Sequence, residues 1–220
     1  MNPALQSMIR KSPRVRLLAL KLLADRRGVA AIEFAMLLPF MLVLFFGTVV
    51  FSSGVAANRK VSLMAQTLSD LTSRSISVAS SDLTNFFAAD TAIMTPYDPT
   101  FTSAILSEFY IDPTTLKPTL IWSVAYNGAN ASPQVQAHTK GYALPAFPSS
   151  MAVGGSYVIY SEIGYLFQPP GGGAMGLMNP NGISLNSTAY TRPRVGACVI
   201  YPTPTSGVLP PCPTTYVVLP

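Results

Sequence analysis

The sequence predicts an α+β protein in which a long N-terminal transmembrane helix continues into an amphipathic stem that packs on a small antiparallel β-sheet domain. The chain has no charged residue from Phe34 to Asn58. Apolar side chains then recur at helical spacing, and beyond residue 90 short β-branched and aromatic runs alternate with prolines and glycines. We therefore expect a basic cytoplasmic leader at 1–28, a transmembrane helix at 29–58, a stem helix at 59–76 and an extracytoplasmic β-rich domain at 77–220.

Positive charge is concentrated in the leader. The formal net charge is +5 at pH 7, yet residues 29–220 alone carry −1, because seven of the 14 basic side chains precede residue 28. A near-neutral body offers no basic surface for phosphates, so we expect no nucleic-acid partner. Basic residues mark the cytoplasmic flank of a membrane helix, and only Arg59 and Lys60 follow this one directly. We expect the N terminus in the cytoplasm and the C-terminal domain outside it.

The apolar run is long enough to cross a bilayer. Residues 34–58 would form a helix of about 25 residues and about 37 Å. A cleavable secretory signal peptide is the alternative, and the small residues at 52–57 would suit its cleavage site. Its apolar core, however, has only about 7 to 15 residues. The length of the run therefore favours a retained helix in contact with membrane lipid.

Three residues inside the span are unusual for a simple anchor. Pro39 removes a helix hydrogen bond and predicts a kink near the start of the helix. Gly47 and Gly54 lie seven residues apart, on one helical face, where a second helix could approach closely. The alternative is that glycine is simply common in membrane helices. We expect these residues to serve helix packing.

The most informative segment is RRGVAAIEFAML at 26–37. Glu33 lies at the edge of the apolar helix, where an unpaired charge costs at least a few kcal/mol, so it needs a partner. Gly28, followed by four residues and then Glu33-Phe34, resembles the processing site of type IV prepilins. In particular, it resembles that of the TadE-like minor pseudopilins of the tight-adherence (Flp) pilus system.

This resemblance implies processing and assembly at named residues. In that family a prepilin peptidase cuts after the glycine, which implies cleavage between Gly28 and Val29, with Glu33 as the fifth mature residue. Glu33 and Phe34 would then act in assembly. The implied partners are the prepilin peptidase, other pilins or pseudopilins and the inner-membrane assembly platform, and the implied location is the bacterial inner membrane, with a single span.

Cleavage would also supply the partner that Glu33 needs. It creates an α-amine at Val29, with an unperturbed pKa of about 7.7 to 8.0, near the membrane edge. The paired amine could belong to the same chain or to a neighbouring subunit. A simpler alternative is that Glu33 is a first-turn glutamate that complements the helix dipole, which is worth about 1 kcal/mol or less.

The rest of the chain predicts the stem and the sheet. Val61, Met64, Leu68 and Leu71 form the apolar stripe of the stem. Residues 77–100 have a mixed pattern that ends in turns. The β-branched and aromatic content predicts a hairpin and two further strands, to which the tail TTYVVLP could add an edge. The predicted strands are 105–112, 118–126, 156–168 and 194–202.

Composition gives no sign of catalysis. His138 is the single histidine, and the glycine-rich run at 169–176 lacks the Gly-Lys-Ser/Thr of a phosphate loop. We expect no enzyme activity, no metal and no cofactor. Cys198 and Cys212 can form a disulfide outside the cytoplasm, with two free thiols as the alternative.

Two other functions compete with the pilus interpretation. One is an unprocessed single-span membrane protein whose outer domain binds a ligand or an envelope component. The other is a secreted enzyme, which would need catalytic residues that the sequence does not show.

Overall fold

The structure is a computed structural model that describes residues 27–128, 130–135, 137–144, 147–169 and 182–217. Residues 1–26 of the predicted leader lie outside the described residues, as do residues 170–181, which include most of the glycine-rich run at 169–176. Contacts divide the chain into two units, residues 1–51 and 52–220. The predicted α+β class is confirmed, because a long N-terminal helix is followed by an antiparallel sheet.

Helix α1 extends over Arg27–Ser73 and includes Pro39. It therefore covers the predicted span and most of the predicted stem. The stem stripe is confirmed, because Val61, Met64 and Leu68 are fully buried and Leu71 is half-buried. These side chains share one core with residues of the sheet such as Trp122. The last five turns of α1 are therefore helical because their apolar face is covered by the sheet.

The described residues form a sheet of five antiparallel strands, which are β1 Thr102–Ile111, β2 Pro118–Asn127, β3 Asn130–Val135, β4 Tyr157–Phe167 and β5 Ile183–Thr191. Their order in the sheet is β3-β2-β1-β4-β5. The predicted hairpin and the predicted strand at 156–168 are confirmed by β1, β2 and β4. β3 and β5 were not predicted, because their polar residues form strands only through pairing with a neighbour.

The strand predicted at 194–202 is wrong. This segment makes a single parallel bridge, between Ser77 and Ile200, and does not join the sheet. Its backbone bonds instead go to the link after α1: the amide of Ile200 donates to the carbonyl of Ile76 at 3.0 Å, and the amide of Val78 donates to the carbonyl of Ile200 at 2.9 Å. The described part of the tail, to Val217, forms no strand either, although the Val217 amide donates to the carbonyl of Ile121 at 2.8 Å.

A second helix, α2 (Ser80–Ile93), lies in the segment for which the sequence predicted mixed structure. Its first turn is held by Asp82, whose carboxylate accepts a hydrogen bond from the amide of Ala79 at 2.9 Å. At its other end the ammonium of Lys60 donates to the carbonyls of Ile93 and Thr95, both at 2.7 Å. A cation there satisfies carbonyls that lack helical partners and complements the helix dipole. Lys60 thus fixes α2 on the stem.

The predicted disulfide is confirmed. Cys198 and Cys212 are bonded, with their Cα atoms 5.9 Å apart. Beyond the buried Tyr201, the loop that the bond closes consists mainly of prolines and small residues and has no buried residue. A covalent closure of this length restricts the unfolded chain more than the folded one.

Replacing both cysteines (Cys198→Ala with Cys212→Ala) should lower the free energy of unfolding by about 3 kcal/mol, because the loop constraint on the unfolded chain is lost. The single tryptophan, Trp122, is buried, so its fluorescence during urea unfolding of the detergent-solubilised chain reports the change. Wild-type protein unfolded in a thiol reductant is the matched control and should show the same loss. Equal stability of the oxidised and double-alanine forms would contradict this account.

Candidate functional site

The first part of α1 presents an apolar surface that its own unit leaves exposed. Large side chains around the helix are open, among them Met36 at 70%, Phe40 at 72% and Leu44 at 71% exposure. The most apolar stretch of this helix has no buried residue. A helix that is apolar on all sides requires a bilayer or other helices around it. This segment is therefore a candidate single membrane span.

Gly28 and Val29 lie in the first turn of the described part of α1. Gly28 is exposed, and a Cβ atom added to it would meet nothing within 4 Å. The fold of the described chain therefore gives no steric reason for glycine at this position. Cleavage between Gly28 and Val29 stays a prediction.

Glu33 is exposed and is surrounded on the helix by exposed apolar side chains, including Ile32 and Phe34. Within the described residues no ion pair involves its carboxylate. The first turn of α1 contains no acidic residue, so Glu33 lies too far along the helix for the simple dipole explanation. Its need for an external partner therefore stands.

The residues predicted to pack helices differ in their surroundings. Helix α1 continues through Pro39, although proline has no amide hydrogen to donate to the preceding turn. A Cβ atom added to Gly47 would meet nothing within 4 Å, whereas one added to Gly54 would lie 3.6 Å from the ring of Phe167. Gly54 thus already faces the protein's own sheet. Packing of another helix at Pro39 and Gly47 stays a prediction.

A buried carboxylate that the sequence pattern did not reveal lies in the sheet. Glu108 of β1 is fully buried, and it accepts hydrogen bonds from the indole nitrogen of Trp122 at 2.8 Å and from the amide of Val199 at 2.7 Å. Burial raises the pKa of Glu108 to about 8, although both hydrogen bonds oppose the shift. Because Val199 follows Cys198, this contact attaches the disulfide loop to the sheet. The sequence signal for this buried site was an acidic residue, Glu108, at a core-facing position of the strand predicted at 105–112.

Asp90 of α2 is also buried, at 1% exposure, and neither of its carboxylate oxygens has a hydrogen-bond partner among the described residues. Burial raises the pKa of Asp90 to about 8. An unpartnered buried carboxyl costs about 1 to 3 kcal/mol even when it is neutral. Asp90 therefore weakens the packing of α2.

His138 lies on the face of the sheet opposite to the one that packs on the stem. Its ring stacks on Tyr142, with ring centroids 3.6 Å apart, and its Nε2 atom is 3.6 Å from a carboxylate oxygen of Glu162. Burial lowers the pKa of His138, and the nearby carboxylate of Glu162 opposes this shift. No group of three or more potential metal ligands occurs in the part of the chain that the structure describes.

The family comparison matches the helix just described. Residues 28–68 match the family model described as TadE-like protein. This segment is therefore similar to TadE-like proteins. The match begins at Gly28 and ends at Leu68, so it contains the predicted processing and assembly residues and most of the buried stem stripe, and it confirms the resemblance inferred from the sequence.

The match covers 41 of the 220 residues and ends before the sheet begins. Comparison with curated proteins and with solved structures found no match to the chain.

The two buried carboxyls make stability depend on pH. In the unfolded chain Asp90 ionises near the ordinary aspartate pKa of 3.8, whereas in the folded chain it stays protonated until the pH is about 8. A raised folded-state pKa means that stability is greatest in acid and falls as the pH rises toward 8. Glu108 has the same sign.

Between pH 5 and pH 8 the wild type should lose about 3 to 4 kcal/mol more stability than Asp90→Asn, because each pH unit below the folded pKa costs about 1.4 kcal/mol and an amide cannot ionise. Urea unfolding followed by Trp122 fluorescence at both pH values measures this. Asp112→Asn is the matched control, because Asp112 has a pKa lowered by hydrogen bonds from the amides of Thr115 and Thr114. An identical pH dependence of Asp90→Asn and wild type would contradict the assignment.

Proposed function

We propose that this protein is a minor pseudopilin that acts in the assembly of a Tad/Flp-type pilus. A prepilin peptidase removes the leader after Gly28, and the mature chain assembles through its N-terminal helix. The observation that carries the proposal is that the TadE-like match begins at Gly28 and contains an uncovered apolar helix with one carboxylate that no described residue pairs. The function is assembly by helix packing and charge pairing, without catalysis.

Local chemistry supports cleavage at Gly28. A helical peptide bond must unwind before a protease can bind it as an extended segment, and glycine in a helix costs about 1 kcal/mol relative to alanine. Gly28 therefore makes unwinding easier at the bond that is cut. Removal of the leader also removes the block of positive charge that set the orientation of the helix.

Charge pairing at Glu33 supports the assembly role. After cleavage the Val29 amine lies about 6 Å along the axis from Glu33 of the same helix. A neighbouring helix displaced by about one turn would place its own amine beside this carboxylate. Pairing neutralises a charge that is costly near hydrocarbon, and it favours one axial register over others. Phe34 and the exposed side chains that follow supply the apolar contact.

Charge and exposure also support the proposed location and partners. The charge bias favours an N terminus in the cytoplasm and a β-rich domain on the periplasmic side of the bacterial inner membrane. The proposed partners are the prepilin peptidase, other pilins or pseudopilins, the assembly platform and membrane lipid. Gly47, which no described side chain covers, is the proposed point of close helix approach.

The protein isolated from native membranes should begin at Val29 when an active prepilin peptidase is present and should retain its leader when the peptidase is absent. Gly28→Val should block cleavage, because a β-branched residue hinders close approach of the backbone. Intact mass and N-terminal sequencing measure this, with Gly47→Ala as a control that should be cut normally. An intact leader in both strains would favour the unprocessed single-span alternative.

Glu33→Gln should be inserted and cleaved but should abolish piliation, because the amide keeps the size of the side chain and removes its charge. Pili counted by electron microscopy, together with the mass of the mature chain, separate failed assembly from failed processing. Glu162→Gln is the matched control, since it removes a carboxylate from the sheet domain. Normal pili in Glu33→Gln would exclude charge pairing at this residue.

A further inference from the structure

The two outer strands of the sheet differ in how they are protected against pairing with another chain. β3 is six residues long, contains Pro133, has an irregular register with β2 and is contacted by α2. β5 is nine residues long, contains no proline or charged residue, and pairs with β4 without a bulge. Natural outer strands usually carry charges, prolines or bulges that prevent edge pairing. β5 has none of these features.

A groove of about 490 Å³ lies where β5 ends. It is bounded by the last turns of α1, by Ala189 to Thr191 of β5 and by Arg194. Thr191 donates a hydrogen bond to Ser69 of α1 at 3.0 Å, which joins the two sides of the groove. The groove therefore continues from the outer strand onto a polar part of the helix.

Positive charge is in excess in this groove. Arg74 and Arg194 both pair with Asp70, at 2.6 Å and 2.8 Å, so two guanidinium groups share one carboxylate. Their side chains remain 63% and 58% exposed. The segment that contains Arg194 is already fixed by its amide, which donates to the carbonyl of Ser73 at 2.8 Å. Each guanidinium therefore keeps donors available for a further carboxylate.

We propose that an extended, acidic segment of a partner protein binds here, by adding as a strand to the outer edge of β5 and placing carboxylates against Arg74 and Arg194. No backbone hydrogen bond from a described residue outside the sheet reaches β5, and bonds from such an edge supply affinity that is independent of sequence. The excess positive charge at one end selects acidic segments and fixes their direction. This interaction does not depend on cleavage at Gly28 or on pairing at Glu33, so it can be tested separately from the proposed function.

The test uses the detergent-solubilised full-length chain and labelled synthetic peptides of the length of β5, with binding followed by fluorescence anisotropy. One peptide has glutamate at alternate positions, and a second has lysine at those positions. A third keeps the glutamates but is N-methylated on alternate amides, which blocks addition to a strand edge. The glutamate peptide should bind about tenfold more tightly than the lysine peptide, and N-methylation should abolish binding.

Arg74→Ala with Arg194→Ala should remove the preference for glutamate, and Arg192→Ala is the matched control. Arg192 belongs to the same segment but donates to the carbonyl of Met151 and does not line the groove. Retained Trp122 fluorescence in the double variant would show that the domain is folded. The proposal is wrong if no peptide binds, if glutamate and lysine peptides bind equally, or if the N-methylated peptide binds as well as the unmethylated one. Self-association of the chain that the glutamate peptide does not displace would indicate a second copy as the occupant, and would also overturn it.

Discussion

The exposed apolar surface of the first part of α1 is the main physical constraint on this protein. The side chains from Ile32 to Phe51 are mostly apolar and almost all exposed, and among them Glu33 forms no ion pair within the described residues. In water this surface would aggregate, and in hydrocarbon the carboxylate would be costly. The proposed function meets both needs, because a bilayer would cover the apolar side chains and an amine from a processed neighbour would neutralise the carboxylate. Under this proposal, membrane insertion, cleavage and assembly are three consequences of one exposed surface.

The second part of α1 differs from the first, because it is amphipathic and packs on the protein's own sheet. From Ala57 onward its apolar residues, apart from the exposed Leu63, lie on one face, and that face is covered by the sheet. Lys60 holds the end of α2 with two hydrogen bonds, while Glu108 and the disulfide hold the C-terminal segment. These polar contacts are local and specific. They fix the positions of α2 and of the C-terminal segment on the stem and the sheet. Asp90, whose carboxylate has no hydrogen-bond partner among the described residues, lowers the stability of the domain at neutral pH.

The elements that the sequence predicts correctly are those encoded by residues close together in the chain. The span, the stem stripe and the hairpin were predictable because residue spacing alone encodes them. β5 was missed because ISLNSTAYT has the composition of a loop, and only pairing with β4 makes it a strand. The segment at 194–202 was assigned wrongly because its β-branched residues pair with the link after α1 and not with the sheet. The burial of Glu108 could have been suspected from its position in the predicted strand, but its partners and the groove at Arg74 and Arg194 could not be predicted, since the contacting residues are distant in sequence.

In the proposed assembly, the carboxylate of Glu33 of one chain pairs with the new amine at Val29 of another chain. The most direct measurement is zero-length crosslinking with a membrane-permeant carbodiimide in native membranes, followed by mass spectrometry of the crosslinked peptides. We predict an amide between the Val29 amine and the Glu33 carboxylate in a species that contains two chains, and its loss in Glu33→Gln and without the prepilin peptidase. Glu33 modified by the carbodiimide but never joined to an amine would contradict this claim.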